Sequence, residues 1–151
     1  MLTEEKLESA KARFALQKIY LKDLSFESPI SRLSGALVNI SRFDIDFDTL
    51  VTKFENNLYE VCLNLTGKGL NEDEEVIYLI EVAQAGFFLQ EGELEEELVR
   101  KITLADCPTI LYPYVRETVD SVLVRGGWPP VTISHVDFTE NYMKSLNSKI
   151  K

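Results

Sequence analysis

Few side chains in this sequence have the types and spacing that bond-making chemistry needs. The single histidine, His135, stands between two segments that read as separate elements, with no cysteine or aspartate placed to orient it, and a surface or capping role is favoured over acid–base work. No Cys-x-x-Cys or His-x-x-x-His pair offers a metal its ligands, and no nucleophile elbow is present. Gly67-Lys68-Gly69 leads into an acidic loop, whereas a phosphate cradle needs a following helix to offer its amide N–H groups, so nucleotide hydrolysis is not expected. Asp44, Asp46 and Asp48 alternate with the bulky Phe43, Ile45 and Phe47 and lack the glycine of a calcium loop; they read as a solvated strand face. Trp128, beside Gly126 and Gly127, is a candidate for stacking on a ligand, but a large ring just after a helix stop reads better as a core plug. No cofactor and no metal are expected, and enzyme chemistry is weakly supported.

Composition narrows the partners. The 151 residues suffice for one compact folding unit, here taken as residues 1–151 with 1–13 as an N-terminal extension and 144–151 as a flexible tail. No run approaches the roughly 18–20 apolar residues of a membrane span, and the charged first 11 residues have no apolar signal core behind them, so a protein that stays inside the cell is expected. Cys62 and Cys107 are too few for a disulfide scaffold and fit a reducing cytoplasm. The formal charge of −9 makes phosphate backbones poor partners, because nucleic-acid binders need a basic stripe to displace counterions. Basic or signal-bearing polypeptides suit an acidic surface better.

The elements that must position these residues are legible as periods. Between residues 14 and 27, Phe14, Leu16, Tyr20, Leu24 and Phe26 fall on one face of a strand, with Gln17, Asp23, Ser25 and Glu27 on the other. A loop of turn formers follows, then the strict alternation of residues 43–48. A third strand sets Tyr59, Val61, Leu63 and Leu65 opposite Glu60, Cys62, Asn64 and Thr66, and a polar turn over residues 67–75 suggests a hairpin. The fourth, residues 76–89, is apolar on both faces, with Tyr78, Ile80, Val82 and Gln84 on one and Ile77, Leu79, Glu81 and Ala83 on the other. Such a strand needs covering helices on each side or a partner subunit, and the subunit is favoured. A short solvated helix is expected over residues 91–101 and a longer one from Thr109 to Arg125. Pro113 is tolerated there only in the first turn, and Gly126-Gly127 form the stop. A last helix begins near Asp137 or Thr139 with Phe138, Tyr142, Met143 and Leu146 along one side. Strands before helices predict an α+β fold, a four-stranded antiparallel sheet with its helices on one face.

Read in order, several stretches resemble the SecB family of bacterial export chaperones: Ile19-Tyr20-Leu21-Lys22-Asp23-Leu24-Ser25-Phe26-Glu27-Ser28-Pro29, Tyr59-Glu60-Val61, Leu79-Ile80-Glu81-Val82-Ala83-Gln84-Ala85-Gly86-Phe87-Phe88, the run from Cys107-Pro108 through Leu111-Tyr112-Pro113-Tyr114-Val115-Arg116-Glu117 to Arg125-Gly126, and Val136-Asp137-Phe138. The resemblance spans roughly residues 14–143. It implies a sheet backed by a long helix and a shorter C-terminal helix, assembled as a dimer of dimers (a homotetramer). It implies an ATP-independent chaperone that binds unfolded preproteins in the cytoplasm and delivers them to the SecA motor, with no nucleic acid and no membrane insertion. Residue by residue, Tyr78, Ile80, Val82 and Gln84 match positions that support tetramer assembly. Leu79 and Glu81, with Asp23 and Glu27, match positions that contact SecA and would suit a basic, zinc-bearing segment of that motor. Asn39 and Ser41 stand where the family usually carries a Trp and extra prolines, and Lys149-Ile150-Lys151 replaces the acidic tail often seen there.

A holding chaperone needs apolar surface open to many sequences and enough charge to stay dispersed. The candidates for a client groove are Phe43, Ile45 and Phe47 of the second strand with Phe138, Tyr142 and Met143 of the last helix; ordinary core packing is the other reading of the same six. Binding the unfolded state holds it by mass action without ATP. Within the same fold the alternative is a chaperone of a toxin–antitoxin module that protects an antitoxin. From other classes the rivals are an undetected enzyme or small-ligand domain and a structural oligomer without clients.

Overall fold

The computed structural model describes residues 12–29 and 39–150. The charged first 11 residues, most of the loop after the first strand and the last lysine lie outside the described residues.

Four strands, β1 (Arg13–Glu27), β2 (Arg42–Lys53), β3 (Leu58–Leu70) and β4 (Val76–Glu91), form one antiparallel sheet in the order β1-β4-β3-β2. β2 and β3 are joined by a tight turn in which Asn56 and Asn57 take positive φ (61° and 59°), a conformation asparagine tolerates. Between β3 and β4, Asn71 Oδ1 accepts from the amides of Asp73 (3.0 Å) and Glu75 (2.9 Å), a side chain standing in for backbone at a turn. Arg42, at the start of β2, grips Glu74 in this turn through Nη1 and Nη2 (2.8 and 2.6 Å).

Helices cover one face of the sheet, as the grouping of strands before helices predicts. They are α1 (Glu96–Lys101), α2 (Cys107–Arg125) and α3 (Phe138–Ile150). α1 and α2 were expected as separate helices; they are instead one continuous rod, linked by a π-helical turn over Ile102–Asp106. Pro108, two residues beyond that turn, has no amide hydrogen to donate, and the wider turn lets the helix pass it. Pro113 is not confined to the first turn but lies inside α2. Gly126 and Gly127 end the rod as expected: Gly127 has φ of 86°, and the Trp128 amide bonds back to the Leu123 carbonyl at 2.9 Å. α3 opens with Asp137 Oδ1 accepting from the Glu140 amide at 2.9 Å and runs through Ile150, where a flexible tail was expected from 144.

The core lies between sheet and rod. Val61, Leu63 and Leu65 of β3 and Ile80 and Val82 of β4 meet Leu111, Val115, Val119 and Leu123 of α2, all at most 2% exposed. Each such side chain contributes about 1.5–3 kcal/mol by leaving water. Trp128 plugs one end, its ring 5.5 Å from that of Tyr78 and its Nε1–H donating to Ser28 Oγ. Gly67 and Gly69 leave room for rings: a Cβ would sit 2.5 Å from Phe43 Cζ at the first and 2.6 Å from the Tyr78 ring at the second.

Candidate functional site

The two sides of the sheet differ in chemistry, and β1 shows how. Its pairing with β4 slips twice, leaving Gln17 and Lys22 as extra residues. Phe14 and Leu16, Ile19 and Leu21, then Leu24 and Phe26 therefore share the helix-covered side. Tyr20, expected among them, is on the open side, stacked on Phe87 with ring centroids 5.4 Å apart. Uninterrupted period two put it on the wrong face; the bulges are the reason.

The open side gathers the residues expected to meet SecA. Glu27 pairs with Leu79, Ser25 with Glu81 and Asp23 with Ala83, and Ser25 Oγ lies 3.3 Å from Glu81 Oε2. Asp23, Glu27 and Glu81 are exposed and Leu79 is half-buried. The pairing continues across β3 to β2, bringing Asp44, Asp46 and Asp48 onto the same side opposite Lys68, Thr66 and Asn64. Three rows thus cross the sheet, Asp44–Lys68–Leu79–Glu27, Asp46–Thr66–Glu81–Ser25 and Asp48–Asn64–Ala83–Asp23, making one acidic field with a single lysine among these rows. Sequence reasoning had the two acidic sets as separate strand faces; only the strand order brings them together.

Further along the same side the chemistry changes. Glu60, only 6% exposed, accepts from Lys22 Nζ at 2.5 Å and from the Tyr20 hydroxyl. The lysine bond, then the tyrosine bond, hold its carboxyl below the ordinary carboxylate range, while Lys22 is raised by the same bond. Burial, then the bond to Glu60, pushes Tyr20 up to about 12. Burial likewise raises the free thiol of Cys62, and pushes that of Cys107 up to about 12, so neither is poised as a nucleophile.

The expected assembly residues are inside the subunit. Tyr78, Ile80, Val82 and Gln84 are 1%, 0%, 2% and 4% exposed and face α2. The covering predicted for this side of β4 comes from the chain's own helix and not from a partner subunit, so these four offer no surface to a second copy. Any bearing on assembly passes through the rod they support.

The client candidates divide. Phe43 and Ile45 are half-buried and pack on the core, Phe43 with its ring centroid 6.2 Å from that of Tyr78. Phe138 is also core, edge-on to Phe47 (6.0 Å) and Tyr112 (5.6 Å). Phe47, Phe138 and Tyr142 nevertheless line one open cavity of about 270 Å³ together with Leu104 and Val136. Met143, half exposed, does not line it. Leu104 also lines a larger cavity of about 560 Å³ with Val51, Tyr59, Leu94 and Val99, so a trough runs between β2 and the helices. Val51 was missed because it lies past the strict alternation of residues 43–48, Leu94 because it lies in the connection after β4, and Leu104 because a π-turn leaves no mark in a regular helical period.

Among the described residues no helix is long and apolar enough to cross a membrane, and no cluster of three or more His, Cys, Asp or Glu could hold a metal. An α+β subunit with an acidic, helix-free sheet face and, on the other side, a trough whose apolar residues are interspersed with polar ones such as Lys53, Glu96 and Arg100 has the features of a polypeptide-binding protein. Comparison with known proteins agrees. The profile described as preprotein translocase subunit SecB matches residues 7–149. The chain is 39% identical over 137 residues to the protein-export protein SecB of Marinobacter nauticus, covering 91% of this chain and 82% of that protein. It is 34% identical over 140 residues to that of Legionella pneumophila strain Philadelphia 1, covering 93% and 85%. Among solved structures, the SecB-like chaperone of Mycobacterium tuberculosis in complex with a peptide from an antitoxin shares the fold, with a TM-score of 0.65, 22% identity and 85% of this chain and 89% of that chain covered. The chain belongs to the SecB family of protein-export chaperones, a chaperone family and not an enzyme family.

Proposed function

We propose that this SecB-family chain holds unfolded preproteins without ATP in the cytoplasm, in the trough of Phe47, Leu104, Val51 and Tyr142, and passes them to SecA through the acidic field of Asp23, Glu27, Leu79 and Glu81. The observation that carries this is the separation of the two surfaces: the trough and the acidic field lie on opposite sides of one sheet. A client can thus stay bound while the motor docks. Client side chains buried in the trough contribute about 1.5–3 kcal/mol each, so a few anchors hold a chain weakly, and repetition over subunits raises avidity. Release then comes from the competing partner, since no nucleotide is consumed. In this reading the subunits form a dimer of dimers, supported by Ile110, Tyr114 and Val124, which stand 42%, 48% and 58% exposed on the rod. The buried free thiols of Cys62 and Cys107 suit a reducing compartment.

Two paired variants test the division. Asp23→Asn with Glu81→Gln is expected to weaken SecA binding in titration calorimetry and to leave suppression of precursor aggregation intact; Phe47→Ser with Tyr142→Ser should do the reverse. Loss of both activities in either pair refutes two separate surfaces. The antitoxin reading has the likeness to the mycobacterial complex in its favour, but at 22% identity that is a likeness of fold, and the export relatives support the first reading. Affinity capture from cells in which an antitoxin predominates over preproteins would reverse this choice.

A further inference from the structure

Past the acidic field, the open side of the sheet turns apolar. No slip interrupts the pairing of β2 with β3, so Leu50 continues the open-side series of Asp44, Asp46 and Asp48 and stands opposite Cys62. Cys62 pairs with Ala85 and Ala85 with Tyr20, so two small buried side chains floor the row between Leu50 and Tyr20. One row further, Phe87 lies opposite Glu60. Its ring centroid is 5.4 Å from that of Tyr20 and 6.2 Å from that of Phe54, the residue that follows β2. Leu50 and Phe54 remain 55% and 45% exposed on the side that no helix covers. Large apolar side chains grouped in water and rimmed by charge mark a contact surface.

The surrounding charges say what fits there. Towards the field stand Asp48 and Asp23, then Asp46 and Glu81. In the two apolar rows the carboxylate is Glu60, which is buried and already held by Lys22, while Lys18 stands opposite Phe87 with its Nζ 5.9 Å from the Tyr20 ring centroid. The open side therefore draws basic groups to one end and not to the other. Along β4, Phe87 is four residues from Ala83, which pairs with Asp23, and six from Glu81, about 13 and 20 Å at roughly 3.3 Å per residue. We infer that Leu50, Phe54 and Phe87 form the apolar half of the docking surface, and that the SecA segment received there is amphipathic. Its basic side chains lie over Asp23 and Glu81, with apolar ones about four to six extended positions further along. The inference rests on the reading of the acidic field as the SecA-docking surface. It adds to that field a short-range contact that salt does not screen.

The test uses the full chain in its native assembly, with purified SecA as the probe in titration calorimetry at low and high salt. Leu50→Ser with Phe54→Ser is expected to bind SecA about tenfold more weakly, the loss of two partly buried apolar contacts, with the salt dependence of wild type and with suppression of precursor aggregation intact. Both side chains are about half exposed, so the fold has little to lose. Leu50→Met with Phe54→Leu keeps the apolar surface and should bind as wild type. Asp23→Asn with Glu81→Gln should instead flatten the salt dependence. Wild-type SecA binding by the serine pair, where the Asp23 and Glu81 pair binds more weakly, overturns the inference while sparing the docking surface. Wild-type binding by both pairs removes the docking surface, and the inference with it. Loss of aggregation suppression in the serine pair makes the patch a client site or a support of the fold, and a fall in particle mass makes it a contact between copies. Either result overturns the inference, as does a weakened SecA binding that Leu50→Met with Phe54→Leu shares.

Discussion

Replacing Val82 separates two accounts of β4. The side chain is 2% exposed, lies beside Leu24 and Leu65 in the sheet, and faces α2. Val82→Ala removes two methyl groups, about 0.8 kcal/mol each in transfer, and the cavity left behind raises the loss to about 2–3 kcal/mol. Val82→Asp puts a carboxyl with no cationic partner in the same place, at a cost of about 4 kcal/mol or more, through burial of the charge or its forced protonation. Against a total stability of about 5–15 kcal/mol, that approaches global unfolding. The single tryptophan, Trp128, packs on Tyr78 at the end of this core and reports its loss. Urea unfolding followed by Trp128 fluorescence, at fixed protein concentration because any self-association would add to apparent stability, should show midpoints falling from wild type to Val82→Ala to Val82→Asp. Light scattering on the same samples should show any smaller particle only where the fold is already weakened. A Val82→Asp protein that unfolds at the wild-type midpoint yet scatters as half the mass would refute the reasoning, since it would place Val82 against a second subunit.

Gly67→Ala brings a methyl within 2.5 Å of Phe43 Cζ and 3.1 Å of Ile80 Cγ2, and should cost about 1–3 kcal/mol as Phe43 is displaced; combining it with Phe43→Ala should cost less than the sum, as denaturation of the double variant would show. The Glu60 carboxyl is lowered in the fold from its ordinary 4.5, so its bonds stabilise the protein above that value and are lost as pH falls through the depressed one. The stability difference between wild type and Glu60→Gln should therefore shrink in acid below about pH 4.5, and a difference that stays constant down to acid unfolding would contradict the assignment.

The strand of Phe43, Ile45 and Phe47 was plain in the sequence because one buried face and one wet face leave a strict alternation, and the sheet confirms it. β4 was read as meeting protein on both sides, which is correct for the side under α2; the other side is partly covered by the chain's own Tyr20, resting on Phe87. Tyr20 could not be placed from its neighbours, since a bulge shifts the phase by one residue without any required residue type. The same limit hid the continuity of α1 and α2. Cys107-Pro108 reads as a break, and here a π-turn just before it carries the helix through. For the candidate sites, the carboxylates were legible as types but not as a field, because Asp48 and Asp23 meet across a sheet whose strand order places β4 between β1 and β3. The aromatic trough was half legible: Phe47 and Tyr142 belong to it, whereas Phe43 and Ile45 serve the interior.

The π-turn amounts to one residue of slack in an otherwise regular rod. A chain shortened by a single residue within 102–106 would close into an unbroken α-helix with α1 and α2 still in their present phase, whereas regularising the turn at full length would swing α1 about 100° around the axis relative to α2. In the second case Val99 would leave the trough while the core beneath α2 stayed whole. The spare residue thus sets which side chains of α1 line the trough, with the scaffold beneath α2 unchanged.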